Sequence, residues 1–341
     1  MASRLRRALT DATPLPILVL AWRVYNRITF NALSHDEQPV QFRHGDIVLL
    51  CDACWNYRVS LAVRAAREAG ARVVVMVHDL IPLRQPEFSA PLLTSIFGQW
   101  LAEMIDSADA IVCNSAATMS EVQRFAAERG WNVPPLGYFR LGSDVPGRAD
   151  ATSVRQELVE ITAKGTACFA AVGSIELRKN YRMLMSAFDQ LWSQGHDVRL
   201  VIAGRPTPEC RDLVDAITSH PERGGRFLPM FDATDAELNH LYSACRALVF
   251  PSLAEGFGLP LVEARTRGAL VIASDIPVFR ELADDGVLLF DRFSLPALVN
   301  RLLDVARTDR GASVAPMRPF TWGDSARQLV AVTNRLIASA E

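Results

Sequence analysis

The chain has 341 residues, half of them hydrophobic and 22% charged, with a formal net charge of −2. That length suits two domains of about 150 residues each, and the composition supports packed cores and excludes a disordered polymer. The near-neutral balance gives no basis for nucleic-acid binding. Of the 36 basic residues only two are lysines, Lys164 and Lys179. A genomic preference for arginine explains the bias most simply, and it gives added weight to a lysine in a chemically useful place.

The chain opens with Arg4, Arg6 and Arg7, followed by an apolar run from Leu15 to Trp22. Arg23 follows with no small-residue cleavage site, and the run is too short to cross a bilayer. It reads as a buried strand or helix, with the three arginines as a candidate contact to an anionic membrane surface. Asp46–Cys51 is a short apolar strand, and Tyr57–Gly70 has helical spacing that stops at a glycine. Arg72–Val77 is strand-like and rich in β-branched residues, Phe97–Ser107 a helix, Ala110–Cys113 a strand and Ala116–Arg129 a helix. This β-α-β-α order predicts a parallel sheet with helices on its faces. Six scattered cysteines include one Cys51-Asp-Ala-Cys54 pair without a second pair at zinc-site spacing. Buried free thiols in a reducing cytoplasm are the expectation.

From Asn132 to Asp150 the pattern lapses into Pro, Gly and polar residues, a linker candidate. Alternation then restarts: strands at 166–172, 199–203, 227–231, 247–250 and 269–273, and helices at Tyr181–Gln194 and Pro208–Ser219. The predicted fold class is α/β, with two doubly wound, Rossmann-like domains at 1–148 and 149–318 facing a central cleft. A last helix within 319–341 is expected to return toward the first domain. In such sheets ligands bind at the carboxyl ends of the strands.

Chemistry-bearing residues collect at those ends. After Phe250 comes Pro-Ser-Leu-Ala-Glu255-Gly256-Phe257-Gly258-Leu259-Pro260, with Glu263 one turn into the helix that Pro260 opens. Two carboxylates beside a helix N-terminus suit a ligand carrying both phosphate and hydroxyl groups, although acidic residues also favour first helical turns for their own sake. Gly173-Ser174 turns out of the strand at 166–172 toward Arg178-Lys179, adjacent cations suited to a diphosphate. Gly204-Arg205 ends the next strand, and His78-Asp79 ends Arg72–Val77, where aspartate can orient the histidine. Asn114-Ser115 reads as a helix cap.

These motifs resemble the retaining glycosyltransferases of family four, of GT-B fold. The resemblance runs through Val172-Gly173 to Arg178-Lys179-Asn180, Ala203-Gly204, and Pro251-Ser252 to Glu255 and Glu263, a paired-glutamate motif with seven residues between. Ala273-Ser274-Asp275-Ile-Pro277 follows as the family's downstream strand and loop. Val77-His78-Asp79-Leu-Ile-Pro82 is similar to members that are mannosyltransferases of surface-polysaccharide assembly. Two departures stand out: Ser174 replaces an arginine common in the family, and the usual glycine-rich loop after the first strand is missing.

The resemblance implies that Arg178 and Lys179 hold the donor diphosphate and that Glu255 meets donor-sugar hydroxyls. It further implies that the Gly256–Leu259 backbone, with Gly173, Ser174, Gly204 and Arg205, lines the donor site, that Glu263 accepts from the ribose, and that His78 meets the donor sugar. No metal and no cofactor is expected; the co-substrate is a nucleotide sugar, GDP-mannose ahead of UDP-sugars. The acceptor would be a saccharide or lipid-linked saccharide, and the location cytoplasmic, with peripheral membrane contact. A catalytically silent partner or glycan-binding subunit of the same fold is the alternative. A hydrolysing epimerase would need acid-base carboxylates that the sequence does not offer.

Overall fold

The computed structural model describes residues 40–52, 55, 57–143, 154–163, 165, 167–307 and 314–339. The chain divides into two compact units, one comprising Met1–Arg140 with Arg327–Glu341, the other Leu141–Ala326. The division thus falls at Arg140, short of the sequence boundary at 148.

In the first unit β1 (Ile47–Leu50), α1 (Tyr57–Glu68) and β2 (Arg72–Val77) form a β-α-β unit, and β1 pairs parallel to β2. Next come the short α2 (Ile81–Arg84), α3 (Pro91–Ser107), β3 (Ala110–Cys113), α4 (Ala116–Glu128) and β4 (Leu136–Tyr138). The four strands lie in the order β1-β2-β3-β4, all parallel. β2 and β3 are buried almost throughout, as expected for strands covered on both faces. Phe97, Trp100, Leu101 and Met104 of α3 pack on Val73, Val75 and Ile111. β4 lies inside the stretch read from sequence as linker. Helix α3 also starts six residues earlier than the sequence spacing suggests, with Pro91 in its first turn.

The second unit holds α5 (Gln156–Ile161), β5 (Ala167–Val172), α6 (Tyr181–Ser193), β6 (Val198–Ala203), α7 (Arg211–Thr218) and β7 (Phe227–Met230). It continues with α8 (Asp235–Ala244), β8 (Ala247–Phe250), α9 (Leu259–Thr266), β9 (Leu270–Ser274), α10 (Pro277–Leu282), β10 (Val287–Phe290) and α11 (Leu295–Arg307). Its parallel sheet runs β10-β9-β8-β5-β6-β7. Renumbered within the unit, that is the Rossmann order 3-2-1-4-5-6 read from the other edge. The strand order reverses between β5 and β8, which pair directly. The crevice outside their carboxyl ends is where this topology binds ligands.

The last helix, α12 (Trp322–Ala338), starts among residues of the second unit, and from Arg327 onward it clusters with the first. Its Val332 and Leu336 are buried and lie over Gly137 of β4 so closely that a Cβ there would meet them at 2.7 and 3.0 Å.

Candidate functional site

Three loops leave the carboxyl ends of β5, β6 and β8. Those after β5 and β6 are fastened by backbone. Gly173 N–H donates to Ala203 (3.0 Å), Ile175 N–H to the Arg205 carbonyl (2.8 Å) and Thr207 N–H back to the Ile175 carbonyl (3.2 Å). Gly173 has φ +144°, and a Cβ on Gly204 would sit 1.8 Å from the Gly173 carbonyl oxygen. Only glycine at 204 lets the two strand ends approach this closely.

The β5 loop then makes one 3₁₀ turn, Leu177–Lys179, and ends on Asn180. Asn180 has φ 56°, the only left-handed non-glycine residue described, in a conformation asparagine tolerates better than most. This turn brings Arg178 and Lys179 against the β8 loop. Lys179 Nζ lies 2.5 Å from Glu255 Oε1 and Arg178 Nη1 2.6 Å from Glu255 Oε2. The Arg178 carbonyl also accepts from Leu253 N–H (2.8 Å). Arg292 completes the hold on that peptide by donating to the Leu253 carbonyl (3.0 Å).

The Lys179 and Glu255 side chains are less than a tenth exposed. Burial works against the Glu255 carboxylate, but Lys179 and Arg178 outweigh it and hold its pKa below the ordinary value. Burial draws the Lys179 pKa down, with Glu255 opposing. The Lys179 ammonium also lies 4.8 Å over the Phe250 ring, a favourable place for a desolvated cation. Tyr181, fixed by donating to the Gly173 carbonyl (2.7 Å), has its pKa pushed up by burial and by Glu255 and Glu176.

Gly258, at φ +107°, precedes α9 with no side-chain cap. A Cβ there would strike the Phe279 ring at 2.7 Å, so the backbone approach depends on glycine. The start of α9 therefore has no competing side-chain cap, but Pro260 has no N–H and the Leu261 N–H donates to the Gly258 carbonyl (3.0 Å), so of its first three residues Leu259 is the one whose N–H can meet an anion. Gly256 and Phe257 are buried beside it, and Leu259 is half-buried. Five residues into α9, Glu263 Oε2 accepts from Tyr242 Oη (2.8 Å). Among the described residues nothing bonds Oε1. Burial, then Glu263, raises the Tyr242 pKa.

The structure thus joins Gly173, Ser174, Arg178, Lys179, Gly204, Arg205, Glu255, Gly256, Phe257, Gly258, Leu259 and Glu263 on three neighbouring strand ends. Arg178 and Lys179, read from sequence as adjacent cations, both bond Glu255; of the motif cations, only the exposed Arg205 has no ion-pair partner among the described residues. One expectation needs correcting, that Asp79 orients His78. His78 belongs to the first unit, and its ring is oriented by the Cys51 carbonyl (Nε2 to O, 2.9 Å), whereas Asp79 accepts from Ile81 N–H (3.0 Å). Ser115 caps α4 as expected.

Sequence reasoning missed Glu176, Tyr242 and Arg292. Glu176 lies next to the motif and was legible as a third charge. Tyr242 and Arg292 meet the site only through tertiary contacts. Cys51 is exposed rather than buried, and Cys54, like Arg4, Arg6 and Arg7, lies outside the described residues. No metal-binding cluster of His, Cys, Asp and Glu occurs among the described residues.

The sequence profile of the glycosyl transferases group 1 family matches residues 155–311. Residues 155–311 belong to this family. Its GT-B fold recurs in sucrose-phosphate synthase from Thermosynechococcus elongatus, at TM-score 0.65, 17% identity, 96% of this chain and 81% of that one. It recurs also in Anabaena HepE in complex with UDP and glucose (TM-score 0.63, 16% identity, 86% of this chain and 77% of that one). Among sequence relatives, the serotype-specific mannosyltransferase WbdA of Escherichia coli is 34% identical over 74% of this chain and 32% of its own length. The O-antigen chain mannosyltransferase B of Escherichia coli is 28% identical over 76% and 69%. The O-antigen chain mannosyltransferase RfbU of Salmonella typhimurium is 34% identical over 63% and 55%. The chain spans about a third of the length of WbdA. The matched segment contains all the strand-end residues assembled above.

Proposed function

We propose that the chain is a retaining glycosyltransferase that moves a hexose, mannose first, from a nucleotide-diphosphate sugar to a saccharide or lipid-linked saccharide in surface-polysaccharide assembly. The observation that carries this reading is the placement of Arg178, Lys179, Glu255 and the uncapped start of α9 at the reversal point between β5 and β8. The names of the mannosyltransferase relatives support the sugar, and GDP-mannose is preferred to UDP-sugars on that ground.

In this reading Arg178 and Lys179 take the diphosphate and offset its charge as it leaves. Glu255, released from full pairing, accepts from sugar hydroxyls. The Leu259 N–H at the start of α9 donates to a phosphate or sugar oxygen. Glu263 receives the ribose on Oε1 while Tyr242 holds Oε2. The departing phosphate takes the acceptor's proton on the face it leaves, so no protein nucleophile is needed and stabilisation of the leaving group supplies the rate. His78, with Nε2 on a carbonyl, offers Nδ1 as an acceptor in its neutral form, and we assign it to the donor sugar. No metal or cofactor enters the scheme. We further assign the protein to the cytoplasm, with peripheral contact at the inner membrane face; among the described residues no helix is long and apolar enough to cross a membrane.

A thermal-shift screen of GDP-mannose, UDP-glucose, UDP-N-acetylglucosamine and a dTDP-sugar tests the donor. A hundredfold excess over Kd stabilises the fold by about 2.7 kcal/mol. A shift with GDP-mannose, followed by mannose transfer to a lipid-linked acceptor, is expected. No shift with any nucleotide sugar defeats the reading; a shift without transfer or donor hydrolysis across an acceptor panel favours a silent, glycan-binding subunit.

A further inference from the structure

The donor site contains a charge balance that its assigned role does not explain. Two cations, Arg178 and Lys179, meet two carboxylates, Glu255 and Glu176. The Arg178 guanidinium donates from Nε to Glu176 Oε2 (2.8 Å) and from Nη1 to Glu255 (2.6 Å) and the Ala254 carbonyl (3.2 Å). Ser174 Oγ donates to the other Glu176 oxygen. Ser174 thus orients a carboxylate and adds no charge of its own. A cluster whose four charges cancel has little net attraction for a diphosphate.

The two carboxylates differ in how firmly they are placed. Glu255 and Lys179 are 7% and 9% exposed, a desolvated pair that costs much to separate. Glu176 and Arg178 are 31% and 21% exposed, in the range where ion pairs form and break at small cost. The outer pair is therefore the one that can exchange partners. Arg178 presents a planar fork suited to phosphate as well as carboxylate, and Glu176 starts the same 3₁₀ turn, so the exchange needs side-chain rotation alone.

We propose that Glu176 is a resident competitor for the donor's diphosphate: it pairs Arg178 in the empty site and yields it to phosphate when the nucleotide enters. The consequence is a site tuned for release. After transfer the nucleoside diphosphate would remain on two cations, and the return of Glu176 to Arg178 favours its departure. This inference rests on the assignment of Arg178 to the diphosphate.

Calorimetric titration with GDP and with UDP tests it on the full-length protein, comparing wild type, Glu176→Gln, Arg178→Gln and the double variant. Removing one competing charge at a partly exposed site is expected to tighten nucleotide binding by about three- to tenfold in Glu176→Gln. Salt should weaken that binding more steeply than in wild type, a response that a purely structural role would not produce. The gain must vanish when Arg178 is also changed. An unchanged or weaker Kd in Glu176→Gln, or a gain that survives in the double variant, overturns the proposal while leaving the donor site standing. Loss of nucleotide binding in wild type would overturn both; Arg178→Gln binding as well as wild type would remove the diphosphate assignment itself. Should Glu176→Gln be too unstable to titrate, Glu176→Asp, whose shorter carboxylate reaches Arg178 less well, must shift Kd in the same tightening direction.

Discussion

Replacing Lys179 with methionine isolates the buried ion pair at the centre of the site. The Nζ to Oε1 distance is 2.5 Å and both side chains are under a tenth exposed. Leaving a buried charge without its partner costs about 3–5 kcal/mol. Glu255 keeps Arg178 at 2.6 Å, so the lower end applies, about 3 kcal/mol for Lys179→Met. At roughly 2–4 °C per kcal/mol for a domain of this size, the calorimetric Tm of the second unit should fall by about 6–12 °C. Glu255→Gln strands the lysine in turn. The double variant Lys179→Met with Glu255→Gln leaves neither charge stranded, and its loss should be smaller than the sum of the single losses by about 2 kcal/mol. The pH dependence has a fixed sign. Glu255 titrates below its ordinary value when folded, so its stabilisation is complete above the unfolded carboxylate pKa and is lost as pH falls through the folded one. The gap between wild type and Lys179→Met should therefore narrow in acid. Transfer should drop by about 10²–10³ in Lys179→Met and stay low in the double variant. Additive single losses, within about 0.5 kcal/mol, would refute the claim that these two charges depend on each other.

Tyr242→Phe removes the hydrogen bond that orients Glu263, and a bond to a charged group contributes about 1.5–3 kcal/mol; donor KM should rise at least about tenfold with kcat near wild type, and an unchanged KM would detach Glu263 from the nucleotide. Gly204→Ala forces a methyl onto a backbone carbonyl 1.8 Å away, which overpacking places at about 3 kcal/mol or more. Gly225→Ala, whose Cβ would have its nearest neighbour at 3.6 Å, should be close to neutral in the same melt, and equal Tm values for the two would be the wrong outcome. Glu237 offers an acid-side test. Burial raises its pKa, but the Arg155 guanidinium and the Thr234 and Arg155 N–H groups prevail and hold it at about 2. Its contribution is thus complete above about pH 4.5 and vanishes toward pH 2, so Glu237→Gln should melt lower than wild type at pH 7 and match it near pH 2; a constant difference across that range would contradict the assignment.

What the sequence discloses follows from how local the signal is. Arg72–Val77 and Ala110–Cys113 form where their β-branched, mostly apolar runs predict. Leu136–Tyr138 was hidden because Pro134 and Pro135 and a three-residue length look like a linker, and only pairing with β3 makes it a strand. Helix α8 had a readable start, the capping box of Thr234 and Glu237, yet its apolar stripe is too thin for periodicity to reveal. Val287–Phe290 is too short to tell from any buried apolar run without its neighbour β9. At the site, glycine and charge spacing identified the strand-end residues. Their pairing was out of reach, since Glu255 meets cations 76 and 77 positions away, and a run of charges does not say whether it awaits a ligand or has found a partner.

The path of α12 has a consequence for how the protein is made. Gly137, near the close of the first unit's sheet, is covered by Val332 and Leu336, and the Arg140 N–H is met by Gln328 (2.9 Å). During synthesis β4 emerges almost two hundred residues before its cover. The second unit, contiguous from Leu141 to Ala326, can therefore finish folding on the ribosome while the first still shows an open apolar edge. A nascent chain stalled before residue 327 should carry a protease-resistant second unit and a first unit that chaperones still recognise. An attempt to express the first unit as residues 1–140 alone should fail where a fusion of that segment to residues 327–341 succeeds.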